Sequence, residues 1–191
     1  MANVKGMSGH SSNPFRLLAC VIAIAFMFPA TAIAASPYAG EQRRNIKSLS
    51  QGEIDDYLAG NGMGFAKSAE LNGYPGPSHV LELAISLDLS QGQRMRTTQI
   101  FERMHARATA LGARLVDHER RLDHLFASRT IDRDALANAS SAIGILQAEL
   151  RRTHLAAHLE EASVLTDAQR KRYLQLRGYV DGNDEAHHHH P

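Results

Sequence analysis

Residues 101–125 read FERMHARATALGARLVDHERRLDHL, and the spacing of their apolar positions decides the predicted fold. The gaps alternate between three and four residues without a miss, which is typical of a coiled-coil seam rather than of a general amphipathic face. This spacing predicts one long helix, the first arm of a hairpin, with one histidine on its seam. The seam positions are Phe101, Met104, Ala108, Leu111, Leu115, His118, Leu122 and Leu125.

A second arm with the same periodicity follows a break between Ser128 and Asp132. Its apolar positions are Leu136, Ala139, Ile143, Leu146, Leu150 and Ala157. Ser90 and Asp132 are good N-caps for the two arms, because their side-chain oxygens can accept from free backbone N–H groups. The sequence therefore predicts an all-α fold of about four to five helices. Its body is a long antiparallel helical hairpin from Ser90 to about Val164, with short flanking helices.

Short elements precede the hairpin, and no run alternates long enough to predict a strand. Ser50 and Glu53 have the spacing of a capping box. Tyr74-Pro75-Gly76-Pro77 is a corner that cannot continue a helix, and Ser78 is predicted to cap a helix that runs to Leu87. The predicted divisions are a short-helix preface (35–77), a hairpin domain (78–178) and a polar, histidine-rich tail (179–191).

Residues 1–34 have the features of a signal peptide for export. Lys5 and Arg16 supply a positive start, Leu17 to Phe28 form an apolar run, and Ala32-Ile33-Ala34 offers small residues for cleavage. The apolar run falls short of the roughly 20 residues that a spanning helix needs. An uncleaved anchor is the alternative if the run is counted through Ala35. We expect a periplasmic protein, anchored in the inner membrane if the signal is not cleaved.

Composition argues against two classes of function. The formal net charge of +1 gives no argument for a nucleic-acid partner. There is no GxSxG, HExxH or phosphate-cradling glycine loop, and the single cysteine, Cys20, lies in the predicted signal. We therefore expect a protein that is not an enzyme.

The same five-residue pattern stands at two predicted helix starts, as LSQGQ (89–93) and LTDAQ (165–169). In each copy an apolar residue precedes a hydroxyl N-cap, and a glutamine three residues later can reach back to the cap. The residues in these roles are Leu89, Ser90, Gln93, Leu165, Thr166 and Gln169.

The paired motifs, the hairpin between them and the export signal resemble the LTxxQ-motif periplasmic family of Spy-, CpxP-, ZraP- and CnrX-like proteins. The stretch AELNGYPGPSHVLELA (69–84) is similar to its heavy-metal-sensor-like branch. The first motif departs from the pattern, with serine for threonine and glycine at the fourth position. The resemblance implies an all-α protein, often a cradle-like dimer, without enzymatic activity. Known members act as ATP-independent chaperones, as restrainers of sensor kinases or as metal sensors.

Two histidines of the second arm are candidate metal ligands. His154 and His158 are one helical turn apart, and Glu161 follows on nearly the same face. If the hairpin reverses near residue 130, Glu102 and His105 come opposite them, which predicts four or five converging ligands. Imidazole with carboxylate suits zinc, nickel, cobalt or copper better than calcium or magnesium. The alternative is that these side chains are solvated on helix flanks.

The other histidines have separate interpretations. His118 on the seam is predicted to hydrogen-bond near Ser141 and so to set the register of the arms. His79 is the one histidine near the first helix, where the metal-sensing members of the resembled family place further ligands. The run His187 to His190 is either a native metal-scavenging tract or a non-native addition.

Three functions stay open on the sequence alone. The first is an exported stress accessory protein that binds a divalent transition metal and is linked to metal-resistance or envelope-stress signalling. The second is a holdase chaperone for unfolded envelope proteins, since arginine stems and aliphatic side chains share the arms. The third is a regulatory partner of a membrane sensor kinase without metal binding. The expected partners are a second copy of the chain, a sensor kinase or anti-sigma protein, and unfolded clients.

Overall fold

The computed structural model describes residues 36–180, so the predicted signal peptide (1–34) and residues 181–191 of the predicted tail lie outside the described part. A 3-10 turn at Glu41–Arg43 is followed by α1 (Gln51–Ala59), α2 (Lys67–Glu70), α3 (Pro77–Glu82), α4 (Gln91–Ala127), α5 (Arg133–Val164) and α6 (Asp167–Leu176). Residues 36–180 contain no strand, so the all-α class is confirmed, as is the hairpin of α4 and α5. Six α-helices occur there rather than four or five, because α2 and α3 are separate short helices. None of the described helices is both long and apolar enough to cross a membrane.

Side-chain caps start four of these helices as predicted. Ser50, Ser90 and Thr166 each form a capping box, in which the hydroxyl accepts from the N3 backbone N–H and the N3 side chain accepts from the cap N–H. Asp132 caps α5 by accepting from the backbone N–H of Ala135 at 2.7 Å. The reversal of the hairpin therefore lies where the sequence predicted it.

The helix at the proline-glycine corner differs from the prediction. α3 begins at Pro77 with Gly76 as its N-cap, so Ser78 lies inside the first turn and does not cap the helix. Proline suits the first helical position, because no backbone N–H needs a partner there and its φ is already close to helical. The helix also ends at Glu82 rather than at Leu87, and turns lead from there to α4.

The two arms pack through an apolar cluster on their facing sides. It consists of Ala108, Leu111, Leu115, Ile143, Leu146 and Leu150, all of them predicted seam positions. Towards the start of α4 the buried positions are Thr97 and Ile100, whereas Phe101 and Met104 are only partly buried. The inward face of α4 is thus rotated from the predicted seam in this part of the helix.

His118 does not make the predicted register contact. Its side chain is partly buried, Ser141 is exposed, and the described residues show no hydrogen bond from the His118 ring. The apolar cluster, together with the ion pair between Arg107 and Glu149, joins the arms in the middle of the hairpin without a contribution from His118.

Gly112 lies where α1 crosses α4. A Cβ at Gly112 would lie 2.0 Å from the carbonyl oxygen of Tyr57 and 2.7 Å from its carbon. Beside this crossing, Ile46, Leu49 and Val116 form a second buried cluster. Glycine within a helix costs about 1 kcal/mol relative to alanine, and here its missing side chain allows the two backbones to come together.

The two five-residue motifs contact each other through their glutamines. Gln93 Nε2 donates to Gln169 Oε1 at 2.7 Å, and Gln169 Nε2 donates to Gln93 Oε1 at 3.1 Å. The same two amide nitrogens also donate to the backbone carbonyls of Val164 and Leu87. Each glutamine therefore completes its own capping box and joins the start of α4 to the start of α6.

Candidate metal centre

The three predicted ligands of the second arm are all buried, which excludes a solvated flank for them. His154, His158 and Glu161 are 3%, 8% and 0% exposed. Their surroundings differ, however. The His154 ring is stacked on Phe65, with 5.9 Å between ring centroids, whereas Glu161 faces α4 and accepts a hydrogen bond from Thr97 at 2.9 Å. The three side chains thus share one side of α5 without meeting at one point.

Glu102 and His105, the predicted ligands of the first arm, lie elsewhere. Both are exposed, and the His105 ring is stacked on Phe101 with a centroid distance of 5.5 Å. The hydrogen bond between Thr97 and Glu161 agrees with the predicted register of the arms. The error is one of rotation, since each residue turns a helix by about 100° and these two positions fall outside the buried arc of α4. The predicted convergence of four or five ligands between the arms is therefore wrong.

Glu161 is a buried carboxyl group with one satisfied oxygen. Oε1 accepts from Thr97, while Oε2 has no hydrogen-bond partner. Burial raises the pKa of Glu161 to about 7, although the Thr97 hydrogen bond acts in the opposite direction, and nearby Glu160 adds to the rise. Glu161 is therefore partly protonated near neutral pH.

His154 belongs to the interior rather than to an open site. Burial lowers the pKa of its imidazole, and the neighbouring His158 lowers it further. Its Nε2 atom is buried without a hydrogen-bond partner, and its ring packs on Phe65. We interpret His154 as a neutral core side chain.

His158 lines a cavity of about 460 Å³ between α5, α2, α3 and the loop that precedes α2. We call it the His158 cavity. Its lining includes three further side chains with metal-ligating atoms, namely Glu70, His79 and Met63. The remaining lining residues are Gly62, Gly64, Ala66, Lys67, Leu71 and Tyr179.

A backbone carbonyl orients the His158 ring. Nδ1 lies 2.8 Å from the carbonyl oxygen of Tyr74, and because a carbonyl can only accept, Nδ1 carries the proton. In the neutral ring this leaves the lone pair on Nε2, which makes no hydrogen bond within the described residues. Metal-binding histidines are commonly held in this way, with one ring nitrogen bound to a carbonyl and the other free for the ion.

Glu70 faces His158 across the cavity with an unpaired oxygen. Its Oε2 atom is buried, has no hydrogen-bond partner and lies 3.7 Å from His158 Nδ1, beyond hydrogen-bonding distance. A Cβ placed on Gly76 would lie 3.1 Å from His158 Nε2 and 3.5 Å from Glu70 Oε2. A side chain at position 76 would therefore crowd the His158 ring, and glycine is what allows the backbone to pack closely against the imidazole and the unpaired carboxylate oxygen.

The other oxygen of Glu70 has three polar neighbours near the C-terminal end of α6. Oε1 accepts from the Tyr173 hydroxyl at 2.6 Å and from the Tyr179 hydroxyl at 3.2 Å, and it lies 3.3 Å from Arg177 Nε. The two oxygens of this buried carboxylate thus differ sharply in their surroundings.

His79 and Met63 complete the set of donors that line the cavity. His79 Nδ1 is 3.2 Å from Glu82 Oε2, and its side chain is 39% exposed, so it is not held in the interior. Within residues 36–180, no three or more histidine, cysteine, aspartate or glutamate side chains are close enough together to hold an ion. Glu70 and His158 are therefore the two donors that already lie together. A third donor from the cavity wall, His79, would have to leave Glu82 to reach them.

Sequence reasoning found His158 but missed Glu70 and Gly76. Both lie in the stretch AELNGYPGPSHVLELA (69–84), together with His79. The similarity of this stretch to the heavy-metal-sensor-like branch was the available signal. Tyr173 gave no signal, because a tyrosine in a short C-terminal helix has no pattern that points to a site.

The fold and the cavity define a small all-helical protein with paired imidazole and carboxylate donors at a buried site. The chain belongs to the heavy-metal resistance family, whose model matches residues 67–172. This match spans both motifs and the donors Glu70, His79 and His158, and it confirms the family resemblance inferred from the motifs. Comparisons with curated proteins and with solved structures gave no match. The chain is therefore a metal-resistance-related protein.

Proposed function

We propose that this protein binds a divalent transition-metal ion in the His158 cavity and acts in a heavy-metal resistance or envelope-stress response. The observation that carries the proposal is the buried, unpaired Oε2 of Glu70 beside the His158 imidazole, whose ring is oriented by the Tyr74 carbonyl. A buried carboxylate oxygen without a partner is costly, so its presence beside a pre-oriented imidazole is itself an argument for a ligand. Family membership points in the same direction.

The donors indicate which ions suit the site. Glu70 and His158 would hold the ion, with His79 and the Met63 thioether available from the same cavity wall. Imidazole nitrogen with one carboxylate and a soft sulfur favours zinc, nickel, cobalt or copper over calcium and magnesium, which prefer oxygen ligands. A bound ion supplies positive charge on the Oε2 side of Glu70, where the protein supplies no hydrogen-bond donor.

Isothermal titration calorimetry on a suitable parent tests this proposal. The parent is the full chain with His187–His190 replaced by alanine, because a free histidine run binds metals unselectively. We expect the parent to bind zinc, nickel, cobalt or copper, and Glu70→Gln and His158→Ala to weaken binding by about tenfold or more. His105→Ala is the matched control, since this exposed histidine was predicted from sequence but lies outside the cavity. Absence of heat from the parent with all four metals would refute the proposal.

The place of action is proposed from the N-terminal sequence. A chain with the predicted signal at residues 1–34 would act in the periplasm, where its signalling partner would be a membrane sensor kinase or an anti-sigma protein. Cell fractionation with mass spectrometry should recover a periplasmic form that begins near Ala35. Recovery of the uncleaved chain in the cytoplasm would contradict this location.

A holdase activity is the second candidate, and the uncovered side of the hairpin favours it. A groove of about 470 Å³ between α4 and α5 is lined by apolar and arginine side chains, among them Ile100, Met104, Arg103 and Arg107. Arginine stems can cover apolar segments while their charged heads stay in water. If the groove holds unfolded chains, the parent should slow aggregation of a denatured client, and Met104→Asp should reduce the effect. Unchanged client aggregation in the presence of the parent would count against this candidate.

A further inference from the structure

Tyr173 connects the two segments that form the His158 cavity. Its ring is fully buried. Its hydroxyl group donates to Glu70 Oε1 at 2.6 Å, and the hydroxyl oxygen of Tyr173 accepts from the backbone N–H of Gly76 at 3.4 Å. One hydroxyl group thus holds the carboxylate on α2 and the backbone that packs against the His158 ring. No other described side chain makes hydrogen bonds to both.

The contacts of Glu70 divide between its two oxygens. Tyr173, Tyr179 and Arg177 all approach Oε1, whereas Oε2 faces His158 without a hydrogen bond. Donors on one oxygen of a carboxylate fix the direction in which the other oxygen points. This arrangement directs the free oxygen of Glu70 towards the His158 ring.

We propose that Tyr173, assisted by Tyr179, is a positioning residue for metal binding in the His158 cavity. The inference rests on the proposed metal function and adds the residues that set its affinity. Neither tyrosine would bind the ion. The Tyr173 hydroxyl instead donates to Glu70 Oε1 at 2.6 Å and accepts from the Gly76 backbone N–H.

A purely structural role for Tyr173 predicts a different outcome. Its ring packs with Val80, Leu87, Leu89 and Leu165, so the residue also contributes to the core. Tyr173→Phe keeps the ring and removes both hydrogen bonds of the hydroxyl. If the hydroxyl only anchors α6, this variant should unfold at lower temperature and bind metal as the parent does.

Calorimetry on the tail-substituted parent and its variants tests the inference, with zinc and cobalt as probes. We expect Tyr173→Phe to weaken binding by about 10- to 100-fold, the range for loss of a group that orients a metal ligand. The cobalt absorption spectrum should change as well, because a freed carboxylate alters the ligand geometry. Tyr57→Phe is the control for loss of a tyrosine hydroxyl, since the described residues show no hydrogen bond from the Tyr57 hydroxyl and its ring is partly buried.

The outcomes separate this inference from the proposed function. If the parent and Tyr173→Phe bind with affinities within about twofold of each other, while Glu70→Gln and His158→Ala lose binding, the positioning role is refuted and the metal site stands. If the parent binds none of zinc, nickel, cobalt and copper, both are refuted. If Tyr173→Phe does not fold, Tyr179→Phe decides. This variant removes the 3.2 Å hydrogen bond from the Tyr179 hydroxyl to Glu70 Oε1 at a partly exposed residue. It should weaken metal binding several-fold, and an unchanged affinity would overturn the proposal.

Discussion

Replacing Gly112 with alanine sets two physical effects against each other. Helix propensity alone predicts that Gly112→Ala stabilises α4 by about 1 kcal/mol. The packing predicts the opposite, because the new Cβ would lie 2.0 Å from the carbonyl oxygen of Tyr57. That oxygen belongs to the backbone of α1 and cannot turn away, so the whole of α1 must retreat.

The magnitude follows from how far α1 must move. Carbon and oxygen atoms in contact normally lie about 3.3 Å apart, so a gap of 2.0 Å requires a shift of more than 1 Å. Such a shift disturbs the buried cluster of Ile46, Leu49 and Val116, and burying one such side chain stabilises by about 1.5–3 kcal/mol. After the propensity gain, we expect a net loss of about 2–4 kcal/mol.

Urea denaturation followed by circular dichroism measures this loss directly. For a chain of this size, about 2–4 kcal/mol corresponds to a fall in Tm of about 5–15 °C. Gly144→Ala is the matched control, because a Cβ on this exposed glycine of α5 meets no atom within 4 Å. The control should be as stable as the parent or more stable. A Gly112→Ala variant that matches or exceeds the parent would refute the close crossing of α1 over α4.

Three further predictions test the site and the motifs. Gly76→Ala suits the backbone, with φ at −84°, but its Cβ would lie 3.0 Å from His158 Cε1 and so displace the ring. Calorimetry should therefore show metal affinity reduced by about tenfold or more, and unchanged affinity would place the ion elsewhere. Gln93→Ala and Gln169→Ala should each lower the free energy of unfolding in urea by about 1–2 kcal/mol. The double variant should lose less than the sum of the two, because one substitution already breaks the pair. Additive losses would contradict this pairing. The raised pKa of Glu161 means that the folded state holds its proton more tightly, so its contribution to stability is complete below pH 4.5 and is lost as pH rises through about 7. Glu161→Gln should therefore gain stability relative to the parent as pH is raised from 5 to 8, and a difference that does not change with pH would refute the buried carboxyl.

Local signals predicted the hairpin because its helix starts and its seam are encoded in neighbouring residues. The caps at Ser90, Asp132 and Thr166 depend on contacts within one turn, so the sequence contains the whole interaction. The central seam is likewise a matter of spacing along one helix. Its rotation at the start of α4 was not predictable, because Thr97 is buried by its partner Glu161, 64 residues away.

The candidate site was predicted only in part for the same reason. A pair such as His154 and His158 is visible in sequence, but which helix covers it is not. The prediction placed α4 opposite the histidines, whereas the short segment from Phe65 to Gly76 lies there. Glu70 and Gly76 are brought to His158 by tertiary packing across more than 80 residues, and no spacing rule reaches that far. The sequence predicted the register of the two arms correctly, but it predicted the wrong segment opposite the histidine-bearing face of α5.

α6 links the motifs to the candidate site. Gln169 and Tyr173 are one helical turn apart, so they lie on the same side of α6. Gln169 fixes the start of the helix to Gln93 and to the carbonyl of Leu87, and Tyr173 on the next turn reaches Glu70 and Gly76.

Breaking the glutamine pair should therefore disturb Glu70 from a distance. We expect Gln93→Ala to weaken zinc binding in the same direction as Tyr173→Phe but by a smaller factor, since α6 keeps its apolar contacts with Val80 and Leu87. Calorimetry on Gln93→Ala, on Tyr173→Phe and on their combination measures this relation. Because both changes act through α6, the combined variant should bind more tightly than the product of the two separate effects predicts. Effects that multiply would instead show that the motif and the site are independent.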